Sequence, residues 1–306
     1  MIEAFHLSKQ FAATLAVEDV TLSIAKGEVL ALLGPNGAGK TTTVRMLSSL
    51  LNPTSGRATI AGFDTVADAP QVRQRIGLLT ELPGLYNRMN AVDYLDFFGE
   101  LYGMTARQRA DQAVHLLSYF GLWDARLRPI GTYSKGMRQK VALARALFHD
   151  PQVILLDEPT SAMDPSSAKG VRDYISGLRE TGKTILICTH NLAEAERLAD
   201  SIAIIKQGRI IAQGTSADLK QRWLGQPLFE VRLQHPVDPA VFSVNGLLKV
   251  ESWDTTWLRY RTQVPEQANP MLVQHLVGQG AGVVSVSQVP QSLEAVYLHL
   301  VEEQTL

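Results

Sequence analysis

The sequence predicts an α/β core with an inserted helical subdomain, followed by a small α+β domain. Three observations predict it. Short runs that are apolar throughout, at residues 29–33 and 153–156, alternate with stretches of helical spacing, as in a parallel sheet covered by helices on both faces. Between residues 90 and 128 strand signals give way to two successive helix starts. Near residues 220–227 the pattern changes again. These changes divide the chain into a first domain, 1–221, with its helical subdomain at about 88–150, and an accessory domain, 222–306.

In order, residues 2–5, 17–24 and 29–33 read as short β segments, with Lys26-Gly27 as the turn between the last two. A helix opens near residue 40 and gives way to the turn cluster Asn52-Pro53-Thr54-Ser55-Gly56. Residues 57–60 form a strand, and 73–81 a helix end running into a strand, then a loop through Pro83-Gly84. Asn90 can cap a helix over 91–102 with Asp93 in its first turn. Thr105 and Gln108 have the spacing of a capping box for a helix through 120. Ser134 is placed to cap the next helix, where Val141, Ala144, Arg145 and Phe148 recur at helical spacing until Pro151. The strand 153–156 ends in Asp157-Glu158-Pro159, and helix 165–181, strand 183–188, helix 191–199 and strand 202–205 complete a βαβ series. In the second domain, strands at 229–233, 247–252, 257–262 and 282–287 alternate with helices near 238–244, 270–278 and from 292. Asn269-Pro270 has the order of an N-cap followed by proline at the first helical position. The succession β-α-β-β-α-β-α resembles a small ferredoxin-like domain.

Composition narrows the partners. A 45% hydrophobic content and 19% charge suit a folded chain. The net charge of −1 provides no global field for nucleic acid or an anionic membrane. The single cysteine, Cys188, rules out a disulfide framework and fits a small buried residue in a reducing compartment. The first residues lack the charged-then-apolar order of a signal peptide. No apolar run approaches the roughly 18 residues of a membrane helix, so any membrane role is expected through a partner.

The stretch Gly34-Pro35-Asn36-Gly37-Ala38-Gly39-Lys40-Thr41-Thr42 lies between an apolar strand and a helix. Its spacing, G-x-x-x-x-G-K-T, is that of a P-loop, so the α/β core is expected to be a P-loop NTPase. The glycines allow the backbone to curl, and its N–H groups then form a nest for phosphate oxygens at the positive end of the following helix. Lys40 is expected to reach the outer phosphates, and Thr41 to offer its hydroxyl to Mg²⁺. Phe11 falls in a loop upstream; an aromatic there can stack on an adenine ring or fill the first sheet, and spacing alone leaves both open.

A second acidic element sharpens this. Asp157 ends a central strand beside the P-loop, where it can hold Mg²⁺ directly or through water. Glu158 is then available to polarise the water that attacks a γ-phosphate. His190 also ends a parallel strand, at the edge where such sheets bind ligands, and is expected to contact the γ-phosphate.

Together these residues resemble the nucleotide-binding subunits of ABC transporters over roughly residues 1–220. Gly34 to Thr42 corresponds to that family's P-loop, and Tyr133-Ser134-Lys135-Gly136-Met137 to its signature, usually Leu-Ser-Gly-Gly-Gln. Residues 153–158 are similar to its magnesium strand and catalytic glutamate. Ser161-Ala162-Met163-Asp164 resembles its D-loop, His190 its switch histidine and Phe11 its adenine-stacking aromatic. Lys135 and Met137 depart from the usual signature, and Glu81 stands where most members carry a glutamine linking Mg²⁺ to the membrane subunit. Both departures, and Gln291 to Tyr297, are similar to the subgroup serving ABC-2 type exporters.

The resemblance implies an ATPase that binds ATP and Mg²⁺ and acts as a homodimer, or with a paralogous nucleotide-binding subunit. Two ATP would lie between the P-loop of one chain and the Ser134 and Gly136 signature of the other. It also implies a separate ABC-2 type transmembrane permease, reached through residues 82–103, and a peripheral place on the cytoplasmic face of the cell membrane. A soluble ABC ATPase acting on ribosomes or nucleic acid is the alternative. Against it, the chain has one nucleotide domain, and from Arg222 onward five Lys/Arg stand against eight Asp/Glu, whereas an RNA-binding tail should be basic. An inactive ATP-binding regulator is a third possibility, opposed by Glu158 and His190.

Overall fold

The computed structural model describes residues 1–82, 84–161, 163–236 and 247–302. The expected helix at 238–244 and Ala162 of the D-loop lie outside them. The chain forms two compact units, Met1–Ser216 and Ala217–Leu306.

The first unit opens with a hairpin of β1 (Ile2–Phe11) and β2 (Thr14–Ile24). It is longer than the two short segments read from sequence, and Phe11 ends β1, paired with Thr14, rather than lying in a loop. Three register shifts interrupt the pairing, which breaks the alternation that would mark a long strand. β3 (Val29–Leu33) leads into α1 (Lys40–Leu47), then β4 (Ser55–Ile60), β5 (Phe63–Asp64), α2 (Ala69–Arg75) and β6 (Ile76–Leu79). The helical insertion holds α3 (Ala91–Leu101), α4 (Ala106–Tyr119) and α5 (Lys135–Leu147). Its caps are those expected: Asn90 accepts from Asp93 N, Thr105 and Gln108 close a capping box, and Ser134 Oγ accepts from Met137 N. The core then returns through β7 (Val153–Asp157), α6 (Pro165–Glu180), β8 (Thr184–Thr189), α7 (Leu192–Leu198), β9 (Ser201–Lys206) and β10 (Arg209–Gly214).

These ten strands join in the order β5-β4-β1-β2-β10-β9-β3-β8-β7-β6. The segment from β9 to β6 is parallel throughout. Val153, Ile154, Leu155 and Leu156 are fully buried; each contributes roughly 1.5–3 kcal/mol relative to exposure, so β7 is held from both faces. Its neighbour β8, and β3 beyond it, are likewise buried along their whole length. The strands that end at the P-loop, Asp157 and Thr189 are thus rigid and adjacent.

α8 (Ser216–Leu224) contains the expected domain boundary at 221/222. The second unit adds β11 (Leu228–Leu233), β12 (Lys249–Asp254), β13 (Trp257–Arg261), α9 (Pro265–Gly278), β14 (Val283–Gln288) and α10 (Leu293–Glu302). Its sheet has the order β12-β13-β11-β14 with every neighbouring pair antiparallel. Helix α9 corrects the sequence reading. It starts with Pro265 in its first turn, and Pro270 sits inside it. Ala268, Leu272 and Leu276 share the buried face, so burying Ala268 requires the earlier start. Asn269 does not cap; its Oδ1 accepts from Tyr260 OH.

Candidate active site

The P-loop turns between β3 and α1. Gly39 has φ 106°, and a Cβ there would come within 2.7 Å of Ala16 O, so the position requires glycine. Gly39 is also the N-cap of α1 and supplies no side-chain acceptor. The first N–H groups of the helix therefore remain available to a ligand. Lys40 is 7% exposed; its Nζ donates to Gly34 O at 2.6 Å and Pro35 O at 3.0 Å. Its charge is thus held against the loop itself.

Parallel pairing of β3 with β8 and of β8 with β7 aligns Leu33 with Thr189 and Asp157 with Cys188. The chemistry-bearing residues that follow meet at one sheet edge. Thr41 Oγ1 donates to Asp157 Oδ2 at 2.7 Å. Glu158 N donates to Cys188 O at 2.8 Å, and Glu158 takes φ 54°, a left-handed conformation that a non-glycine residue holds only under constraint. His190 Nδ1 lies 2.7 Å from Glu158 Oε1. The Glu158 side chain is 11% exposed and that of His190 62%, so the pair spans from the interior to the mouth of the site.

A cleft of about 490 Å³ unites these groups. Residues 36–42 of the P-loop line it together with Ala16, Glu81, Asp157, Glu158, Ser161 and His190. Burial pushes the Asp157 carboxyl above the usual carboxylate range; the Thr41 hydrogen bond opposes this, while the charges of Glu81 and Glu158 add to it. Asp157 Oδ1 is buried with no hydrogen-bond partner among the described residues. An orphaned carboxylate oxygen, a neighbouring hydroxyl and a second carboxylate at Glu81 are the hard donors a small divalent cation takes. Among the described residues no three His, Cys, Asp or Glu cluster as a complete metal cage. The Thr41 hydroxyl and the Asp157 and Glu81 carboxylates suit an ion such as Mg²⁺, which is commonly held by one or two carboxylates together with substrate oxygens.

Not every predicted residue lines the cleft. Phe11 is 44% exposed, with Lys9 Nζ 5.3 Å from its ring centroid; Ala16 on β2 lines the cleft and Phe11 does not. Ser134 is exposed at the N-cap of α5, and a Cβ added to Gly136 would meet nothing within 4 Å. Sequence reasoning missed Gln139, whose Nε2 donates to Glu158 O at 3.4 Å, and the buried Glu194. The spacing Asn191-x-x-Glu194 is a helix-start signal that points to the latter.

Comparison with known proteins gives the family and the fold. The family profile described as ABC transporter matches residues 17–161. The daunorubicin/doxorubicin resistance ATP-binding protein DrrA of Streptomyces peucetius is 36% identical over 98% of this chain and 92% of its own length. The linearmycin resistance ATP-binding protein LnrL of Bacillus subtilis (strain 168) is 30% identical over 98% of both chains. Among solved structures, an ATP-binding subunit of an ABC transporter superposes with TM-score 0.69 at 33% identity, covering 74% of this chain and 94% of that one. A dimeric post-hydrolysis state of the ATP-binding cassette MJ0796, bound to ADP and Pi, gives TM-score 0.65 at 26% identity over 70% of this chain and 98% of that one. With full-length relatives, a matching profile and a P-loop cleft of the same fold, the chain belongs to the ATP-binding proteins of ABC transporters and carries that family's ATPase domain.

Proposed function

We propose that this chain is the ATP-hydrolysing subunit of an exporter whose membrane permease is a separate, ABC-2 type protein. The observation that carries the reading is the convergence of Lys40, Thr41, Asp157, Glu158 and His190 on one cleft. In this reading the P-loop amides and Lys40 hold the phosphates. Thr41, Asp157 and Glu81 hold Mg²⁺, which would neutralise phosphate charge. Glu158 takes a proton from water as its oxygen bonds the γ-phosphorus, while the bond to the β–γ bridging oxygen breaks, releasing ADP and phosphate. His190 contacts the γ-phosphate and orients Glu158, and Phe11 stacks on the adenine.

Two copies close around two ATP, each Ser134 helix covering the other's γ-phosphate. The exposed position of Ser134, outside its own chain's cleft, supports this, as does the dimeric state named for MJ0796. Resistance-type relatives support export. A candidate permease contact lies on the helical insertion and the loop that enters it: Tyr86, Phe97, Leu101 and Tyr102 are 39–66% exposed, and Tyr102 lines a cavity of about 180 Å³ with Arg73, Phe98 and Arg145. Apolar side chains gathered in this way on a surface fit a docking face. Among the described residues no helix is long and apolar enough to cross a membrane, so the reading places the chain peripherally, on the cytoplasmic face. Affinity purification from gently solubilised cells tests it. A polytopic membrane protein should co-purify and stimulate ATP hydrolysis; recovery of ribosomes or RNA without one would refute the reading.

A further inference from the structure

The turns that carry Glu158 and His190 are tied together by a carboxylate that does not line the cleft. Glu194, in the first turn of α7, is 2% exposed. Its Oε2 accepts from Thr189 Oγ1 at 2.9 Å, and its Oε1 accepts from Thr160 Oγ1 at 2.7 Å. Thr189 immediately precedes His190, and Thr160 lies two residues beyond Glu158. The other neighbour of His190 is held too: Asn191 N donates to Thr189 Oγ1 at 3.0 Å, and Asn191 Oδ1 accepts from Glu194 N at 3.1 Å.

Backbone pairing alone does not carry this tie. The Glu158 N to Cys188 O bond closes the strand end, and the links beyond it run through side chains: His190 to Glu158, and Glu194 to Thr160 and Thr189. Burying a carboxylate is costly compared with an apolar side chain, but an apolar residue cannot bridge two hydroxyls. Both Glu194 oxygens are used, one for each turn.

We propose that Glu194 is a positioning residue for ATP hydrolysis: its carboxylate braces the Thr189–Asn191 turn against the Glu158–Thr160 turn and so holds His190 and Glu158 at their 2.7 Å contact. The proposal rests on the reading above, in which that pair acts on the attacking water and the γ-phosphate. A shift of the pair by a fraction of an ångström would slow the chemical step while leaving ATP bound by the P-loop, since a misplacement near 1 Å can cost about a hundredfold.

The test is steady-state ATPase kinetics of the full chain with two variants. Thr160→Val cuts the bridge on the Glu158 side without touching the cleft; kcat should fall about tenfold, with KM for ATP within about twofold of wild type. Glu194→Gln keeps a bridge, its amide oxygen accepting from Thr189 and its NH₂ donating to Thr160, and should retain kcat within about threefold. Wild-type kcat in Thr160→Val, or a raised KM at unchanged kcat, would overturn the proposal. So would a Glu194→Gln chain as slow as Thr160→Val. A Glu158→Gln chain separates the two levels. Normal turnover there refutes the assignment of Glu158 and the proposal with it, whereas an inactive Glu158→Gln beside a fully active Thr160→Val refutes only the role of Glu194.

Discussion

His190 Nδ1 meets Glu158 Oε1 at 2.7 Å, and Glu158 makes that contact from a backbone with φ 54°. A left-handed glutamate costs of order 1 kcal/mol or more, so the surrounding strand ends must over-determine it. This agrees with a carboxylate aimed at one place rather than one placed for stability. Glu158→Gln retains the shape and loses the basicity. Turnover should fall by about 10²–10⁴, ATP affinity should change little, and ATP should accumulate a dimer on size exclusion. A variant that hydrolyses ATP at the normal rate would show that another base is used.

Lys40 is buried against the carbonyls of Gly34 and Pro35, so its ammonium is positioned before any ligand arrives. Charge-assisted hydrogen bonds contribute about 1.5–3 kcal/mol each, and Lys40→Ala should weaken ATP binding by at least about tenfold. Equilibrium binding of a fluorescent ATP analogue reads this directly. An affinity equal to wild type would remove Lys40 from phosphate binding.

Asp157 illustrates a site built at the expense of the fold. Burial raises its pKa, and the Glu81 and Glu158 charges add to the effect. The folded state therefore binds the Asp157 proton more tightly than the unfolded state does. Stability is lost as pH rises from the ordinary aspartate range through the raised value. Asp157→Asn should raise the unfolding midpoint of the nucleotide-free chain by a few degrees near pH 7. The gain should vanish toward pH 4 or below, and the variant should lose Mg²⁺-dependent turnover. A lower midpoint at pH 7 would mean that the carboxylate is satisfied by the fold.

The stretches legible from sequence are those whose physics is local. β3, β7 and β8 are buried on both faces and read as unbroken apolar runs. Asn90, Thr105 and Ser134 cap helices through residues only three positions away. The length of the β1–β2 hairpin was hidden because register shifts disturb its alternation. β10 went unread because its pattern, half-buried and polar at Gln213, follows that of an edge strand, although it lies inside the sheet between β9 and β2. Within the site, the roles suggested for Lys40, Thr41 and Asp157 follow from motif spacing. The bridge from Thr160 through Glu194 to Thr189 joins residues up to 34 positions apart, and only tertiary structure brings them together.

The two compact units predict independent ATP binding. All the cleft-lining residues belong to Met1–Ser216, and the second unit has its own core of Val231, Leu258, Tyr260, Leu272 and Leu276. A chain ending at Ser216 should bind ATP within a few-fold of the full-length affinity, by calorimetry. A folded truncation that fails to bind would show that the accessory domain shapes the site.

His149 should make the fold acid-sensitive. Its ring stacks on Tyr102 with centroids 3.6 Å apart, Nε2 lies 3.1 Å from Ile76 O, and Nδ1 is buried without a hydrogen-bond partner among the described residues. Burial lowers its pKa to about 4, and Lys183 contributes in the same direction, against the Ile76 hydrogen bond and Asp150. An unfolded histidine titrates near 6.5, so between these values the unfolded chain binds more protons and stability falls as pH falls. Lowering pH from 7.5 to 5 should cost roughly 2 kcal/mol through this group. His149→Gln can still donate to Ile76 O and cannot titrate. Its urea midpoint should therefore drop less over that range than that of wild type, even if it starts lower at pH 7.5. Equal acid sensitivity in the two chains would show that His149 is charged without penalty in the folded state.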